Sequence, residues 1–391
     1  IDYSKMVPQY GDDPIVPFSF TTDRDSIQKK QVLCYLTYTN EKTHEILRSH
    51  LDESPIYGGV IKGVGPRYCP SIEDKVVKFG DKDRHQVFIE PEGLSTNEMY
   101  IDGMSSSMPE YVQYEMYHSV EGLEHAQIVR NAYAIEYDCL EPNQLKPTLE
   151  FKKIKGLFSG GQFNGSSGYE EAAAQGLVAG INAAQEILGK EQIVIGRDQG
   201  YIGVLIDDLV TKETPEPYRM MTSRAEFRLL LRQDNADMRL TPIGYKVGLI
   251  SEERYQHLLD KKKMIEDEMA RVRKINFGAN ERVQNFLLKN NSTELKKGVT
   301  FKDLVCRPEL NYDLVSSLDD TAPELPLEVR EQVNIGLKYE GYIERESKQV
   351  EEFHRIEDKK IPENLDYELV PSLRIEARQK LSTHRPETVG Q

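Results

Sequence analysis

The stretch IKGLFSGGQFNGSSGYEEAAAQGLVAGINAAQEIL, residues 154–188, changes character twice. A short apolar run ends at Phe158. Gly160, Gly161, Gly165 and Gly168 then punctuate a polar loop, and an alanine-rich segment comes next. This order predicts a short strand, a tight glycine loop and a helix. The small residues Ala172, Ala173, Ala174, Gly176, Ala179, Gly180 and Ala183 let that helix approach a neighbouring backbone closely.

The chain differs on the two sides of this stretch. Upstream, QVLCYLTYTN (31–40), HQVFIEP (85–91) and YAIEYDCL (133–140) read as strands, because β-branched and aromatic residues dominate them. TNEKTHEILRSHL reads as a helix capped by Thr39 or Asn40, and MPEYVQYEMYHSV (108–120) has helical spacing. Downstream, residues 251–273 and 327–356 form long charged helices, with a further one in DYELVPSLRIEARQKL. The fold class predicted is α/β plus all-α: a small α/β domain over 1–148, a short segment over 149–198, and a helical domain over 199–391.

Composition narrows the function. Hydrophobic residues make up 38% and charged residues 29%, which fits a soluble globular chain. No apolar run reaches the ~20 residues of a membrane span, and no secretory leader is visible in a chain that opens IDYSKM without an initiator methionine. Cys34, Cys69, Cys139 and Cys306 are far apart, with no C-x-x-C pair, and the histidines show no metal spacing, so no metal site is expected and a cytoplasmic setting is the default. The net charge of −15 argues against indiscriminate nucleic-acid binding. A local basic site remains compatible with it, because screening limits distant acids to a reach of about 8–10 Å.

Three motifs can carry chemistry. In GVGPRYCPSIEDKVVKF (63–79), Ser71 and Asp74 predict a helix start, and Cys69 lies just before it beside Arg67. The positive end of a helix and an arginine favour a thiolate; the other reading is a packed, inert cysteine stiffened by Pro70. The loop of 154–188 has the order of a phosphate- or flavin-binding turn, with Gly161 and Gly165 open to backbone approach and Gln162 and Asn164 able to meet a ring edge. A purely structural turn fits the same residues, and the G-x-G-x-x-G fingerprint is absent. In EPYRMMTSRAEFRLLLRQDNADMRLT, Ser223 and Glu226 suggest a helix start, and Arg224, Arg228 and Arg232 then share one helix face between Arg219 and Arg239. Such a row suits phosphate binding; a solvated face paired with nearby acids is the alternative. Glu41 and Glu45 sit four apart, as an acid/base pair or as a helix surface.

These motifs, with YTNEKTHEILRSHLDESPIYGGVI and LKYEGYIERE, occur in an order that closely resembles the GidA/MnmG family of tRNA uridine 5-carboxymethylaminomethyl modification enzymes. The resemblance spans essentially the whole chain. It implies the middle and C-terminal portion of a longer protein, whose N-terminal part carries the FAD fingerprint. Residues 1–148 would then be an inserted NAD-binding-like domain, 149–198 the returning segment of a Rossmann-like FAD domain, and 199–391 the helical domain that docks tRNA and a GTPase partner, MnmE.

The resemblance further implies a homodimer that modifies carbon 5 of the wobble uridine with FAD, NADH and methylenetetrahydrofolate. Cys69 would be the nucleophile that activates the uracil ring, and Glu45 an acid that moves protons. Gly161, Gln162, Asn164 and Gly165 would meet FAD. Gly65, Pro66, Arg67, Tyr68, Ser71 and Phe79 would lie in the NAD region 65–79. Arg219, Arg224, Arg228, Arg232 and Arg239 would hold tRNA. By the same implication, the present residues alone supply one wall of the flavin site and do not turn over by themselves. Two other readings are a non-catalytic tRNA- or GTPase-binding scaffold and a relative of the folate-dependent tRNA uracil methyltransferases; the long helical C-terminal region distinguishes the chain from the latter.

Overall fold

The computed structural model describes residues 1–63, 70–135, 138–212, 216–357, 359–362, 364–386 and 388–390. They fall into two compact units. The first comprises Ile1–Pro142, Gly160–Gly176 and Glu213–Arg219; the second comprises Asn143–Ser159, Leu177–Lys212 and Met220–Gln391.

The first unit is built on a four-stranded antiparallel sheet of β1 (Val7–Gln9), β2 (Cys34–Tyr38), β3 (Gln86–Pro91) and β4 (Met99–Asp102), in that spatial order. Leu36 lies opposite Phe88 across β2 and β3, and Ile89 opposite Ile101 across β3 and β4. The helices are α1 (Glu41–Ser49), α2 (Ile72–Lys78) and α3 (Glu110–His118). Val87 and Ile89 alternate inward from β3 and meet Leu47, Ile72, Val76, Val112 and Met116 from the helices. Each such aliphatic side chain removed from water contributes about 1.5–3 kcal/mol.

The predicted caps of α1 and α2 are in place. Asn40 closes a capping box with Thr43 at the start of α1, and Ser71 Oγ accepts from Asp74 N at 3.2 Å at the start of α2. One predicted strand is absent: 133–135 and 138–140 carry no strand among the described residues, because no neighbouring edge pairs with them.

The second unit is helical, with small β additions. Its elements are α5 (Tyr201–Thr211), α6 (Ala236–Lys246), α7 (Glu252–Val272), α8 (Glu281–Lys289), α9 (Phe301–Val305), α10 (Tyr312–Ser316), α11 (Leu327–Glu357) and α12 (Ile375–His384), plus the two-residue strands β5 (Asn276–Phe277) and β6 (Val299–Thr300). The remaining helix, α4 (Tyr169–Ile187), runs from the first unit's residues into the second's. The strand expected before the glycine loop reduces to isolated bridges, Leu145 with Phe151 and Glu150 with Phe158.

Val329, Val333 and Leu337 recur every four residues on α11 and are fully buried against Val272, Phe301, Leu304 and Val315. Lys261 is buried with them, and its ammonium meets Asp237 at 2.8 Å and Glu328 at 3.1 Å, so one cation ties α7 to α6 and α11. Mixed helices and small antiparallel sheets, followed by a helical C-terminal part, agree with the predicted class at that level.

Buried His44 and half-buried His85 pair in the first unit, with ring centroids 5.3 Å apart. Thr39 Oγ1 lies 2.8 Å from His44 Nε2 and accepts from His85 N at 2.8 Å, whereas His44 Nδ1 and His85 Nε2 are buried without a partner among the described residues. Burial, then Arg48, lowers the pKa of His44 against the opposing pull of Glu41 and Asp83. Burial, then His44 and Lys75, lowers that of His85.

The folded protein therefore keeps both rings neutral at pH values where the unfolded chain is already protonated. Their contribution to stability is complete above the ordinary value of 6.5 and is lost as pH falls through the lowered values. The urea midpoint is expected to drop between pH 7 and pH 5. A His85→Gln variant should show a smaller drop, measured by circular dichroism at each pH.

Candidate cofactor loop and nucleic-acid interface

The glycine loop is held from beneath by amides. Gln162–Asn164 form a 3₁₀ turn between Gly161, at φ 107°, and Gly165, at φ 81°; both values are in the region that favours glycine. Asn164 is fully buried, and its Nδ2 donates to Gln175 Oε1 at 2.9 Å. Gln175 Nε2 donates to Ser166 Oγ at 2.8 Å, and Ser166 Oγ donates to Gly161 O at 3.3 Å. A Cβ on Gly160 would lie 2.9 Å from Gly176 N, so the loop rests directly on α4 through a pair of glycines.

This arrangement separates the predicted cofactor residues. Asn164 faces the interior and braces the loop. Gln162 is half-buried, and its side chain has no hydrogen bond among the described residues. A Cβ on Gly161 would meet nothing within 4 Å, and one on Gly165 would meet only Pro142 Cγ at 3.7 Å. Gly161, Gln162 and Gly165 therefore leave backbone and amide surface available to a flat ligand.

Gly65, Pro66, Arg67, Tyr68 and Cys69 lie outside the described residues. The start of α2, immediately downstream, is held firmly. Ile72 N donates to Ser105 O at 2.7 Å. Glu73, fully buried, accepts from Ser106 Oγ at 3.0 Å, Ser107 N at 2.8 Å and Ser107 Oγ at 2.7 Å. Sequence reading missed Glu73; the serine run 105–107 was the available signal. Phe79 is half-exposed and lines an open groove of about 320 Å³ with Pro70, Lys75, His85, Phe88 and Asp102. Glu45 is exposed on α1, with no partner among the described residues, while Glu41 pairs with Arg48 at 2.7 Å.

The arginine row does not lie on a helix. Thr222–Arg224 make one 3₁₀ turn, a further turn spans 228–230, and α6 begins only at Ala236. Only a local turn forms at 228–230, in which Leu230 N and Leu231 N donate to Phe227 O at 3.1 and 3.0 Å, and distant side chains take further backbone groups. Arg197 donates to Arg224 O at 3.2 Å, and Glu346 accepts from Leu229 N at 3.1 Å and Leu230 N at 3.2 Å. Glu226 does not cap a helix; it accepts from Arg197 at 3.2 and 2.7 Å.

The five arginines consequently differ. Arg219, in the first unit, lies 3.3 Å from Glu171 and donates to Ser167 O at 3.5 Å. Arg224 is half-buried, 3.9 Å from Asp208. Arg232 holds Asp234 at 3.1 Å and Leu229 O. Arg239 donates to Asn235 Oδ1 at 3.0 Å, Arg232 O at 2.8 Å and Gln199 O, and burial, then Arg232, lowers its pKa. Arg228 is exposed and has no partner among the described residues.

Sequence reading missed Arg197. It is 8% exposed and lies 2.8 Å from Asp207, 2.7 Å from Asp208 and 2.7 Å from Glu226. Burial opposes its charge, but Glu226, Asp208 and Asp207 together hold it above the usual arginine range.

Three family models match the chain. One is described as glucose inhibited division protein A, over residues 1–191. The others are the C-terminal helical domain of the tRNA modifying enzyme MnmG/GidA, over 252–347, and its C-terminal helical bundle, over 349–391. The chain belongs to the MnmG/GidA family.

Among its curated MnmG/GidA relatives, the tRNA uridine 5-carboxymethylaminomethyl modification enzyme MnmG of Lachnoclostridium phytofermentans is 65% identical over 391 residues. That of Caldicellulosiruptor saccharolyticus is 59% identical over the same span. The chain is covered completely in both comparisons and spans 62% of each relative's length. Aquifex aeolicus GidA in its form I crystal aligns over the whole chain and 62% of its own length, at 48% identity and a TM-score of 0.85. The form II crystal gives 46% and 0.84, over 61% of its length. The MnmG/GidA resemblance read from the motifs is therefore borne out.

Breaking a buried charge cluster by removing one partner costs about 3–5 kcal/mol. Arg197→Met is expected to lower unfolding free energy by about that amount, measured by urea denaturation, because it leaves Asp208 buried beside fewer cations.

Proposed function

We propose that this chain forms part of a flavin-dependent enzyme that adds a carboxymethylaminomethyl, or aminomethyl, group to carbon 5 of the wobble uridine of tRNA. The observation that carries this reading is the match over the whole of this chain, at 65% identity, to a relative named for tRNA uridine 5-carboxymethylaminomethyl modification. In this reading residues 1–148 are an inserted domain, 149–198 return to the flavin domain, and 199–391 form the helical domain.

Bound FAD would supply the redox capacity for a reaction that draws on NADH and methylenetetrahydrofolate. Gly161, Gln162 and Gly165 fit one wall of its site, given their open surface. Asn164 fits only as the brace behind that wall, because its amide is engaged with Gln175. The segment 65–79 would meet NADH, and the half-exposed ring of Phe79 is suited to stacking.

Carbon 5 of uracil is a poor nucleophile. Addition of the Cys69 thiolate to carbon 6 forms a C–S bond and moves the ring's π electrons toward carbon 5 and the carbon 4 oxygen, which makes carbon 5 nucleophilic. Carbon 5 would then form a C–C bond to the electrophilic one-carbon unit that methylenetetrahydrofolate provides, the folate nitrogen leaving with the electron pair of its C–N bond. Loss of the carbon 5 proton and cleavage of the C–S bond, with the thiolate as leaving group, would restore the ring. Glu45, exposed on α1, is the candidate to move that proton. Arg228 would meet a tRNA phosphate, Arg219 and Arg224 would add positive potential, and Arg232 and Arg239 would shape the loop. A homodimer and a GTPase partner, MnmE, docking on the C-terminal helices belong to the same proposal, as does a cytoplasmic setting. Among the described residues, no helix is long and apolar enough to cross a membrane.

In the intact enzyme, Cys69→Ser should abolish wobble-uridine modification while tRNA affinity stays near that of the parent; sustained turnover would sink the nucleophile. Arg228→Ala should weaken tRNA binding and flatten the plot of log K against log salt by about 0.7–0.9, the contribution of one phosphate contact. An unchanged slope would remove Arg228 from the interface.

A further inference from the structure

The motif LKYEGYIERE ends in Glu346, whose carboxylate reaches off α11 to a segment more than a hundred residues earlier in the chain. Its Oε2 accepts from two consecutive amides, Leu229 N at 3.1 Å and Leu230 N at 3.2 Å, the second of which is shared with Phe227 O at 3.1 Å. Phe353, seven residues further along α11, sets its ring 5.8 Å from that of buried Phe227 in a T-shaped contact. Gln332, fourteen residues before Glu346, donates to Asp234 O at 3.0 Å and Asp234 Oδ2 at 2.7 Å. Seven residues are close to two turns of a helix, so these three side chains leave α11 on one side. They hold the segment 227–234 along that side, while Arg197 fixes 224–226 from behind.

Arg228 lies between these anchors. We infer that Glu346 is a positioning residue for Arg228, holding the loop in the one backbone conformation from which the guanidinium meets an RNA phosphate. This rests on the reading that Arg228 contacts tRNA. A carboxylate close to a phosphate-binding arginine would repel RNA if it were free in solvent. Here it is half-buried, and two amide dipoles absorb its charge. Anchoring the loop before RNA arrives removes the cost of ordering it on binding.

The test is binding of an unmodified tRNA transcript with uridine at the wobble position, to the intact protein, from 50 to 200 mM salt. Glu346→Ala should reduce the salt slope by about as much as Arg228→Ala, about 0.7–0.9, and the double variant should lose no more than either single one. Glu346→Gln, which keeps an acceptor at the same reach, should restore the parental slope. Glu346→Asp, which keeps the charge but is one methylene shorter, should behave like Ala. The Gln and Asp variants decide the matter even where Ala unfolds.

Additive losses would overturn the inference, as would a slope unchanged in Glu346→Ala and Glu346→Asp while the melting temperature falls. Tighter binding by both Ala and Gln would overturn it too, by making Glu346 a repulsive charge. Were Arg228→Ala itself to leave the slope unchanged, the underlying reading would fail along with it. A flattened slope in Arg228→Ala with none in the Glu346 variants removes only the positioning role.

Discussion

A single guanidinium, that of Arg197, organises the part of the chain that this reading turns toward RNA. It is buried and surrounded by Asp207, Asp208 and Glu226 at 2.7–2.8 Å. A charge in that position is tolerable only when it is fully paired and hydrogen-bonded. The pairing draws α5, which carries both aspartates, against the segment that carries Glu226, and the same guanidinium also takes the carbonyl of Arg224. The path of 224–226 is thereby set by electrostatics and not by local helix propensity.

The long helix α11 supplies the complementary constraint. Its 31 residues extend about 46 Å at 1.5 Å per residue. One stripe, Val329, Val333 and Leu337, lies in the apolar core with Val272 and Phe301. Another set, Gln332, Glu346 and Phe353, meets the 227–234 segment. A rod embedded in a core is a stiff ruler, so a loop hydrogen-bonded along it inherits that stiffness. The result is a division of labour among arginines of identical chemistry: Arg197 and Arg239 build, Arg232 braces, and Arg228 stays exposed.

The glycine loop obeys the same logic with neutral groups. Asn164, Gln175 and Ser166 form a buried chain of amide and hydroxyl bonds, strong because water cannot compete there. The chain fixes a turn whose outer surface is glycine backbone, the exposed ring of Phe163 and the half-buried Gln162 side chain. A scaffold of this kind presents a preorganised surface without a charged residue in the turn itself.

Much was legible in the sequence because it depends on neighbours along the chain. The caps at Asn40 and Ser71, the strands at 34–38 and 86–91, the helix after the glycine loop and the long C-terminal helices all come from periodicity and local hydrogen bonding. The motifs also sufficed to place the chain in its family. The arginine spacing misled, because a period of four describes a helix face only where the backbone is helical. The sequence could not show that Arg197 and Glu346, distant in the chain, would take the carbonyl of Arg224 and the amide of Leu229, and share that of Leu230 with Phe227 O. Nor could it show that Asn164 would face inward while Gln162 did not. Local order was determined by the sequence itself. Which polar groups were left facing outward was decided only by tertiary structure, because that depends on which distant partners satisfy the rest.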